Sequence, residues 1–94
     1  MALFPMFIEL SGKDILVVGG GGVALRKCEK LLPYGATVTA VSGRFQPQFI
    51  SVPGLKLLFR PFADGDIAGR DMVIAATDDR ALNAHIAGLC REAG

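Results

Sequence analysis

The chain has 94 residues, of which 51% are hydrophobic and 20% are charged, and its formal net charge at pH 7 is +1. This length allows one small domain, and the hydrophobic fraction is typical of a sheet that is covered on both faces. The balanced charge argues against a nucleic-acid-binding surface, and no apolar run approaches the roughly 20 residues of a membrane span.

The first half of the chain predicts a strand, a helix and a second strand. Residues 14–19, DILVVG, form a short apolar run that ends at glycine, which is typical of a buried strand. Residues 23–33 predict an amphipathic helix, ended by Pro33 and Gly35, whose apolar side chains recur at helical spacing: Ala24, Cys28, Leu31 and Leu32. Residues 36–42, ATVTAVS, are rich in Val and Thr and predict the second strand.

The second half predicts two more strands and a final helix. Residues 43–54 are a turn-rich connection with room for one helical turn, and residues 55–62 predict a third strand. Residues 63–69 form a loop or a short helix, and residues 71–77 predict a fourth strand. Residues 78–94 predict a helix with one apolar stripe: Leu82, Ile86, Leu89 and Cys90.

This order of elements predicts an α/β fold. Buried strands that are joined through helices form a parallel sheet, so the expected architecture is Rossmann-like and doubly wound. Another strand would normally follow the last helix of such a sheet. We therefore interpret residues 1–94 as one unit that is truncated after its fourth strand and the helix that follows.

Four consecutive glycines separate the first strand from the first helix. They belong to a G-x-G-x-x-A pattern, in which Gly19 makes the tight turn, Gly21 lets backbone approach a pyrophosphate, and Ala24 lets the helix pack on the strand. Unpaired N–H groups at the helix start favour phosphates, and Gly20 and Gly22 widen the accessible dihedral angles. The alternative is a turn that tight packing alone requires, but the flanking strand and helix favour NAD(P) binding.

The residues after the second strand bear on which dinucleotide is bound. NAD sites usually carry Asp or Glu there for the ribose hydroxyls, but this chain has Ser42, Gly43 and Arg44. Arg44 suits the 2′-phosphate of NADP, whereas Ser42 and the Gly43 backbone suit an unphosphorylated ribose. A third interpretation makes Arg44 a solvent-facing loop residue. The residues alone leave NAD and NADP open.

A third group of candidates, AATDD at residues 75–79, ends the fourth strand. Ligands of open α/β sheets collect at the carboxyl ends of the strands, which places Thr77 near a cofactor. Thr77 or Asp78 would also suit a helix cap, and capping is predicted as the main role of Asp78. His85 has no Asp, Cys or second His at ligand spacing, so we interpret it as a partly buried flank of the helix and expect no metal site.

The cysteines and the N-terminus bear on the cellular compartment. Cys28 and Cys90 match no metal-binding spacing and lie on apolar helix faces, so we expect small buried residues in a reducing, cytoplasmic setting. Residues 1–10, MALFPMFIEL, lack the basic start of a signal peptide. These residues are expected either to cover one end of the core or to face a partner.

Several of these stretches together resemble one family. FPMFIEL, ILVVGGGGVALRK, GATVTAVS, FQPQF and IAATDDRALN are similar to the N-terminal dehydrogenase domain of siroheme synthases, and the resemblance covers nearly the whole chain. It implies NAD-dependent oxidation of precorrin-2 to sirohydrochlorin, followed in many members by insertion of ferrous iron to give siroheme. It also implies a homodimer.

The resemblance implies roles for particular residues. The phosphate turn would contact the cofactor through Gly21, Gly22 and Val23, the adenosine ribose would lie near Ser42, Gly43 and Arg44, and Thr77 would lie on the nicotinamide side. Because the family uses NAD without an acid after the second strand, the implied cofactor is NAD. The family's catalytic aspartate follows the last helix, beyond Gly94, as do its dimerisation region and any methyltransferase domain. No catalytic residue is therefore assigned.

A second hypothesis makes the chain a non-catalytic domain that senses NAD(H), as in regulators of potassium transport that contain Rossmann-like modules. Such modules share the glycine turn. They commonly carry an acid after the second strand, however, which the Ser42-Gly43-Arg44 sequence lacks. The sequence therefore favours the enzyme.

Overall fold

The computed structural model describes residues 9–93 and contains one parallel four-stranded sheet with two α-helices. In chain order the elements are β1 (Asp14–Val18), α1 (Gly22–Leu31), β2 (Thr37–Ser42), β3 (Lys56–Phe59), β4 (Met72–Ala75) and α2 (Arg80–Ala93). The strands lie in the order β3-β2-β1-β4 and pair in parallel throughout. The predicted α/β sheet is therefore confirmed. The interpretation of the N-terminal segment falls largely on residues 1–8, outside the described residues.

The element boundaries differ from the predicted ones for local reasons. Helix α1 ends at Leu31 and continues as a 3₁₀ turn, Leu32–Tyr34, and Gly35 stops it with a φ of 83°. Strand β3 is only four residues long because Arg60 and Pro61 follow it, and proline cannot donate a ladder hydrogen bond. The sequence left helical turns open in two connections, residues 43–54 and 63–69. Each contains a 3₁₀ turn, at Pro47–Ser51 and Asp64–Ile67 respectively.

The sheet is covered on both faces, which confirms the doubly wound architecture. Strand β1 alternates between the two cores: Ile15 and Val17 pack with the α1 side, and Leu16 and Val18 pack with Ile86 of α2. These four apolar side chains of β1 are all buried, which explains their continuous apolar run. No helix among residues 9–93 has both the length and the apolar character that a membrane crossing requires.

The α1-side core contains a cysteine and an aromatic side chain from a connection. Cys28 is fully buried there, as expected, and burial raises the pKa of its thiol to about 11. The thiol therefore stays protonated and acts as an apolar group. Phe49, from the 3₁₀ turn after β2, is only 1% exposed, and its ring centroid lies 4.9 Å from that of Phe45. The connection after β2 thus contributes to the core.

An ion pair stabilises the segment that joins β3 to β4. The Arg60 guanidinium donates two hydrogen bonds to the Asp66 carboxylate, at 2.8 and 2.6 Å. The Asp66 side chain is 10% exposed and also accepts the Ala63 N–H at 2.9 Å. The Arg60 hydrogen bonds, followed by the Ala63 N–H, outweigh partial burial and lower the pKa of Asp66 below its ordinary value of 3.8.

We expect Asp66→Asn to reduce the sensitivity of the fold to acid. A carboxyl group with a lowered folded-state pKa stabilises the fold above its unfolded-state pKa, and this stabilisation is lost as the pH falls through the folded-state value. The substitution should lower the free energy of unfolding at pH 7 by about 1 kcal/mol, since Arg60 is partly exposed. Urea unfolding from pH 7 to pH 2 measures this, and an unchanged pH dependence in the variant would contradict the assignment.

Candidate functional site

A cavity of about 690 Å³ opens at the carboxyl edge of the sheet, where β1, β2 and β4 end. Seven of the nine predicted cofactor residues line it: Gly19, Gly21, Gly22, Val23, Ser42, Arg44 and Thr77. The other two, Ala24 and Gly43, do not. Ala24 is fully buried under the turn. A Cβ added at Gly43 would lie 3.9 Å from the Pro61 ring. The three strand ends thus meet where the sequence predicted.

The first two glycines of the turn are required by the fold. Gly19 has a φ of 140°, and a Cβ there would lie 2.5 Å from the carbonyl oxygen of Ala76. A Cβ at Gly20 would overlap the carbonyl of Arg44 and approach the Ser42 hydroxyl to 2.9 Å. These positions admit only glycine because other backbone segments pass directly over them.

The next two glycines are not required by the fold. Gly21 has a φ of −99° and a ψ of −167°, a backbone conformation that any residue adopts, and an added Cβ would meet nothing within 4 Å. A Cβ at Gly22 would meet only the Arg26 guanidinium, at 3.6 Å. Glycine at a helix start lacks the stabilisation that a side-chain cap or a better helix former provides. The open space at Gly21 therefore fits a group that approaches the backbone closely, such as a diphosphate.

The start of α1 offers free donors to that group. The first intrahelical hydrogen bond of the turn runs from the Leu25 N–H to the Gly21 carbonyl, at 3.0 Å. Gly21 makes no side-chain cap, and the first turn has no acidic residue. The N–H groups of Gly22 and Val23 therefore remain available at the positive end of the helix dipole. The sequence-based role of this turn as an anion cradle is consistent with this geometry.

The loop after β2 is shaped by its own polar groups. The Ser42 hydroxyl donates to the Arg44 carbonyl at 2.7 Å and accepts the Arg44 N–H at 3.2 Å. The Gln46 N–H donates to the Gly20 carbonyl at 2.8 Å, which joins this loop to the glycine turn. Since the Ser42 proton is engaged, this hydroxyl has only acceptor capacity left for a ribose, and the exposed guanidinium of Arg44 is the free donor.

The turn after β4 is held by Asn83. The Asn83 side chain bonds the hydroxyl, the carbonyl and the N–H of Thr77, at 2.6, 3.0 and 3.4 Å. Asp79 caps α2, because its Oδ1 accepts the Leu82 N–H at 3.1 Å. The prediction that Asp78 is the cap is therefore wrong: Asp78 is exposed and lines the cavity, and the helix begins two residues later than predicted.

The remaining titratable candidates lie outside the cavity. The His85 side chain is 51% exposed, and its Nε2 contacts the Asp64 carboxylate at 2.8 Å. Cys90 is half-buried against the core on the α2 side. Within residues 9–93, no three His, Cys, Asp or Glu side chains are grouped so that they could hold a metal ion.

The sequence did not predict the roles of four residues at or beside this site: Gly20, Phe45, Gln46 and Asn83. Asn83 is the one with a local sequence signal, an asparagine within the predicted helix, where its helix propensity is low. Gly20, Phe45 and Gln46 depend on the contact between the glycine turn and the loop after β2, and no local sequence pattern shows that contact.

Comparison with known proteins identifies the ligand class. A family model described as "Putative NAD(P)-binding" matches residues 6–94. The chain belongs to this family. Membership in this NAD(P)-binding family confirms the predicted dinucleotide cofactor, and the cavity with its open glycine turn lies within the matched region.

This member of the NAD(P)-binding family is also similar to siroheme synthases, as the sequence motifs predicted. It is 44% identical over 95 residues to the siroheme synthase of Thioalkalivibrio sulfidiphilus (strain HL-EbGR7), covering 98% of this chain and 19% of that protein. It is 42% identical over 89 residues to the siroheme synthase of Pseudomonas fluorescens (strain Pf0-1), covering 92% of this chain and 19% of that protein. The chain thus spans about a fifth of the length of these relatives.

A solved structure shows the same arrangement. The chain superposes on SirC, a precorrin-2 dehydrogenase, with a TM-score of 0.81 and 25% sequence identity. The superposition covers 90% of this chain and 44% of the SirC chain. The Rossmann-like fold predicted from the sequence is confirmed by this likeness.

We expect two adjacent glycines to respond oppositely to substitution. Gly20→Ala should lower the free energy of unfolding by several kcal/mol, because its Cβ overlaps the Arg44 carbonyl. Gly21→Val should fold, with a free energy of unfolding lowered by no more than about 1 kcal/mol because valine is a poorer helix N-cap than glycine, but it should lose at least tenfold in NAD affinity because its side chain occupies the diphosphate position. Urea unfolding and titration calorimetry with NAD measure the two effects.

Gly65→Val is the matched control, since a Cβ at Gly65 also meets nothing within 4 Å and Gly65 lies outside the cavity. Unchanged NAD affinity in a folded Gly21→Val protein would refute the diphosphate cradle.

Proposed function

We propose that this chain is the dinucleotide-binding part of an enzyme that oxidises precorrin-2 to sirohydrochlorin with NAD, in siroheme biosynthesis. The catalytic unit would comprise residues 1–94 together with further regions for dimerisation and, in some proteins, methyl transfer. The cofactor-contacting residues would be Gly19, Gly21, Gly22, Val23, Ser42, Arg44 and Thr77, with Ala24 and Gly43 supporting the backbone beneath them.

The observation that carries this proposal is the open glycine turn, in a chain of which 98% aligns with a siroheme synthase at 44% identity. Gly21 is a glycine for which neither backbone geometry nor packing accounts. The relatives and the structural neighbour are enzymes of tetrapyrrole synthesis, which favours the enzyme over the NAD(H)-sensing domain.

The reaction removes a hydride and a proton from the macrocycle. Bound NAD supplies the hydride acceptor. The α1 start and the loops after β2 and β4 would hold the two halves of the cofactor and so present one face of the nicotinamide to the substrate. Among the described acids and bases, Asp79 is engaged as a helix cap and His85 pairs with Asp64 outside the cavity, whereas the exposed Asp78 lines the cavity. The resemblance to siroheme synthases implies a different proton acceptor, an aspartate that follows the last helix.

The proposal also includes iron insertion, a dimeric state and a cytoplasmic location for the whole protein. Siroheme contains iron, so an enzyme of the kind named for the relatives would also take ferrous iron as a substrate. We assign this step to the whole protein, acting as a cytoplasmic homodimer. The two free cysteines, of which Cys28 is buried and protonated, are compatible with a reducing compartment.

The direct test is turnover by the complete protein. Purified protein mixed with precorrin-2 and NAD should form NADH and sirohydrochlorin in equal amounts, and added ferrous iron should then yield siroheme. The Gly21→Val protein should form no NADH under the same conditions. A folded wild-type protein that binds NAD but does not oxidise precorrin-2 would overturn the enzymatic assignment.

Arg44→Glu tests the choice of NAD over NADP. If NAD is the cofactor, wild-type protein should bind NAD more tightly than NADP, and the substitution should change NAD affinity by less than about threefold, because NAD lacks the 2′-phosphate that this guanidinium would contact. Charge reversal should weaken NADP binding much further. Calorimetric titration with both dinucleotides measures this, and tighter wild-type binding of NADP, lost in the variant, would show that the choice is wrong.

A further inference from the structure

The turn that connects β4 to α2 forms one wall of the cavity. Ala76, Thr77 and Asp78 all line it. The glycine turn holds the middle of the cavity, and the loop after β2 holds the side on which a Rossmann-like sheet binds adenosine ribose. The turn after β4 therefore faces the nicotinamide half, since the dinucleotide lies across the point where the strand order reverses, between β1 and β4.

Thr77 has almost no hydrogen-bonding capacity left for a ligand. Its hydroxyl has one proton, and Asn83 Oδ1 at 2.6 Å is a nearer acceptor than the Asp79 carbonyl at 3.1 Å. The same hydroxyl accepts the Asp79 N–H at 3.1 Å. The Thr77 carbonyl accepts from Asn83 Nδ2 at 3.0 Å, and the Thr77 N–H points to Asn83 Oδ1 at 3.4 Å. One lone pair on the hydroxyl, one lone pair on the carbonyl and the methyl group remain.

Asn83 is an unusual residue to find in the first turns of a helix. Asparagine has lower helix propensity than alanine, so its presence in α2 needs another cause. Its partly buried amide makes three hydrogen bonds, all to Thr77, and links the helix to the end of β4. The helix itself does not need this amide, because Asp79 already caps it.

We propose that Asn83 is a positioning residue for the nicotinamide half of the cofactor. It fixes the Thr77 turn before the cofactor binds, so that the Thr77 methyl group and the Asp78 backbone present a preformed wall. Thr77 then shapes the site by its position and not by donating a hydrogen bond to the cofactor. This inference rests on the cofactor site proposed above and adds a residue and a role to it.

The test compares ligands that include or lack the nicotinamide half. In the complete protein, Asn83→Ala should weaken NAD binding about tenfold, as expected for a preformed wall held by several hydrogen bonds. The same variant should bind ADP, which has the adenosine and the diphosphate but no nicotinamide riboside, within twofold of wild type. Titration calorimetry with both ligands gives the two dissociation constants.

Thr77 variants provide an independent arm. Thr77→Val removes the hydroxyl with little change of shape and should also weaken NAD but not ADP. Thr77→Ser keeps the hydroxyl bonded to Asn83 and loses only the methyl group, so it should bind NAD more tightly than Thr77→Val but less tightly than wild type. The double variant of Thr77→Val with Asn83→Ala should lose no more NAD affinity than whichever single variant binds NAD less tightly, because both substitutions remove the same contact. His85→Ala is the matched control, since His85 is on the same helix and pairs with Asp64 outside the cavity.

The outcomes separate the two proposals. Wild-type protein that binds neither ADP nor NAD would overturn the cofactor site and this inference with it. Wild-type binding of both ligands, with equal weakening of ADP and NAD in Asn83→Ala or Thr77→Val, would reduce Asn83 to a general structural role. Unchanged NAD affinity in folded Asn83→Ala or Thr77→Val protein would refute the positioning role and leave the cofactor site intact.

Discussion

Close backbone approach at Gly19 and Gly20 is the constraint on which the site depends. The β4 exit passes over Gly19 and the β2 exit passes over Gly20, each at a distance that a Cβ would prevent. Hydrogen bonds join the same segments: the Gly19 N–H donates to Val41, and the Gln46 N–H donates to Gly20. Three strand ends can therefore crowd around one turn, and the cavity is the space that remains above them.

Three of the six polar side chains that line this cavity make hydrogen bonds within the protein: Ser42, Thr77 and Asp79. Ser42 shapes the loop after β2, Asp79 caps α2, and Asn83 holds Thr77. The groups left for a ligand include the N–H groups at the start of α1 and the exposed side chains of Arg44, Gln46 and Asp78. The helix start, with free donors at the positive end of its dipole, suits an anionic diphosphate better than a neutral ligand. Preformed walls of this kind reduce the ordering that binding requires.

The ion pairs that stabilise the fold lie away from the cavity. The Arg60–Asp66 pair lies in the segment between β3 and β4, and Arg70 bonds Asp14 at 2.9 Å. Neither pair lines the cavity. Substitutions in these ion pairs should therefore change the free energy of unfolding while leaving the glycine turn in place, and substitutions at Gly21 should act mainly on NAD affinity.

Local patterns in the sequence were enough to establish the strands, the helices, the doubly wound sheet and the glycine fingerprint, because each depends on residues close together in the chain. They could not distinguish Gly20 from Gly21, since the difference is a carbonyl at Arg44, 24 residues after Gly20. They also failed to show the burial of Phe49 and chose Asp78 over Asp79 as the cap. Only the packed molecule settles such points, because they depend on which distant backbone segment lies within a few ångströms.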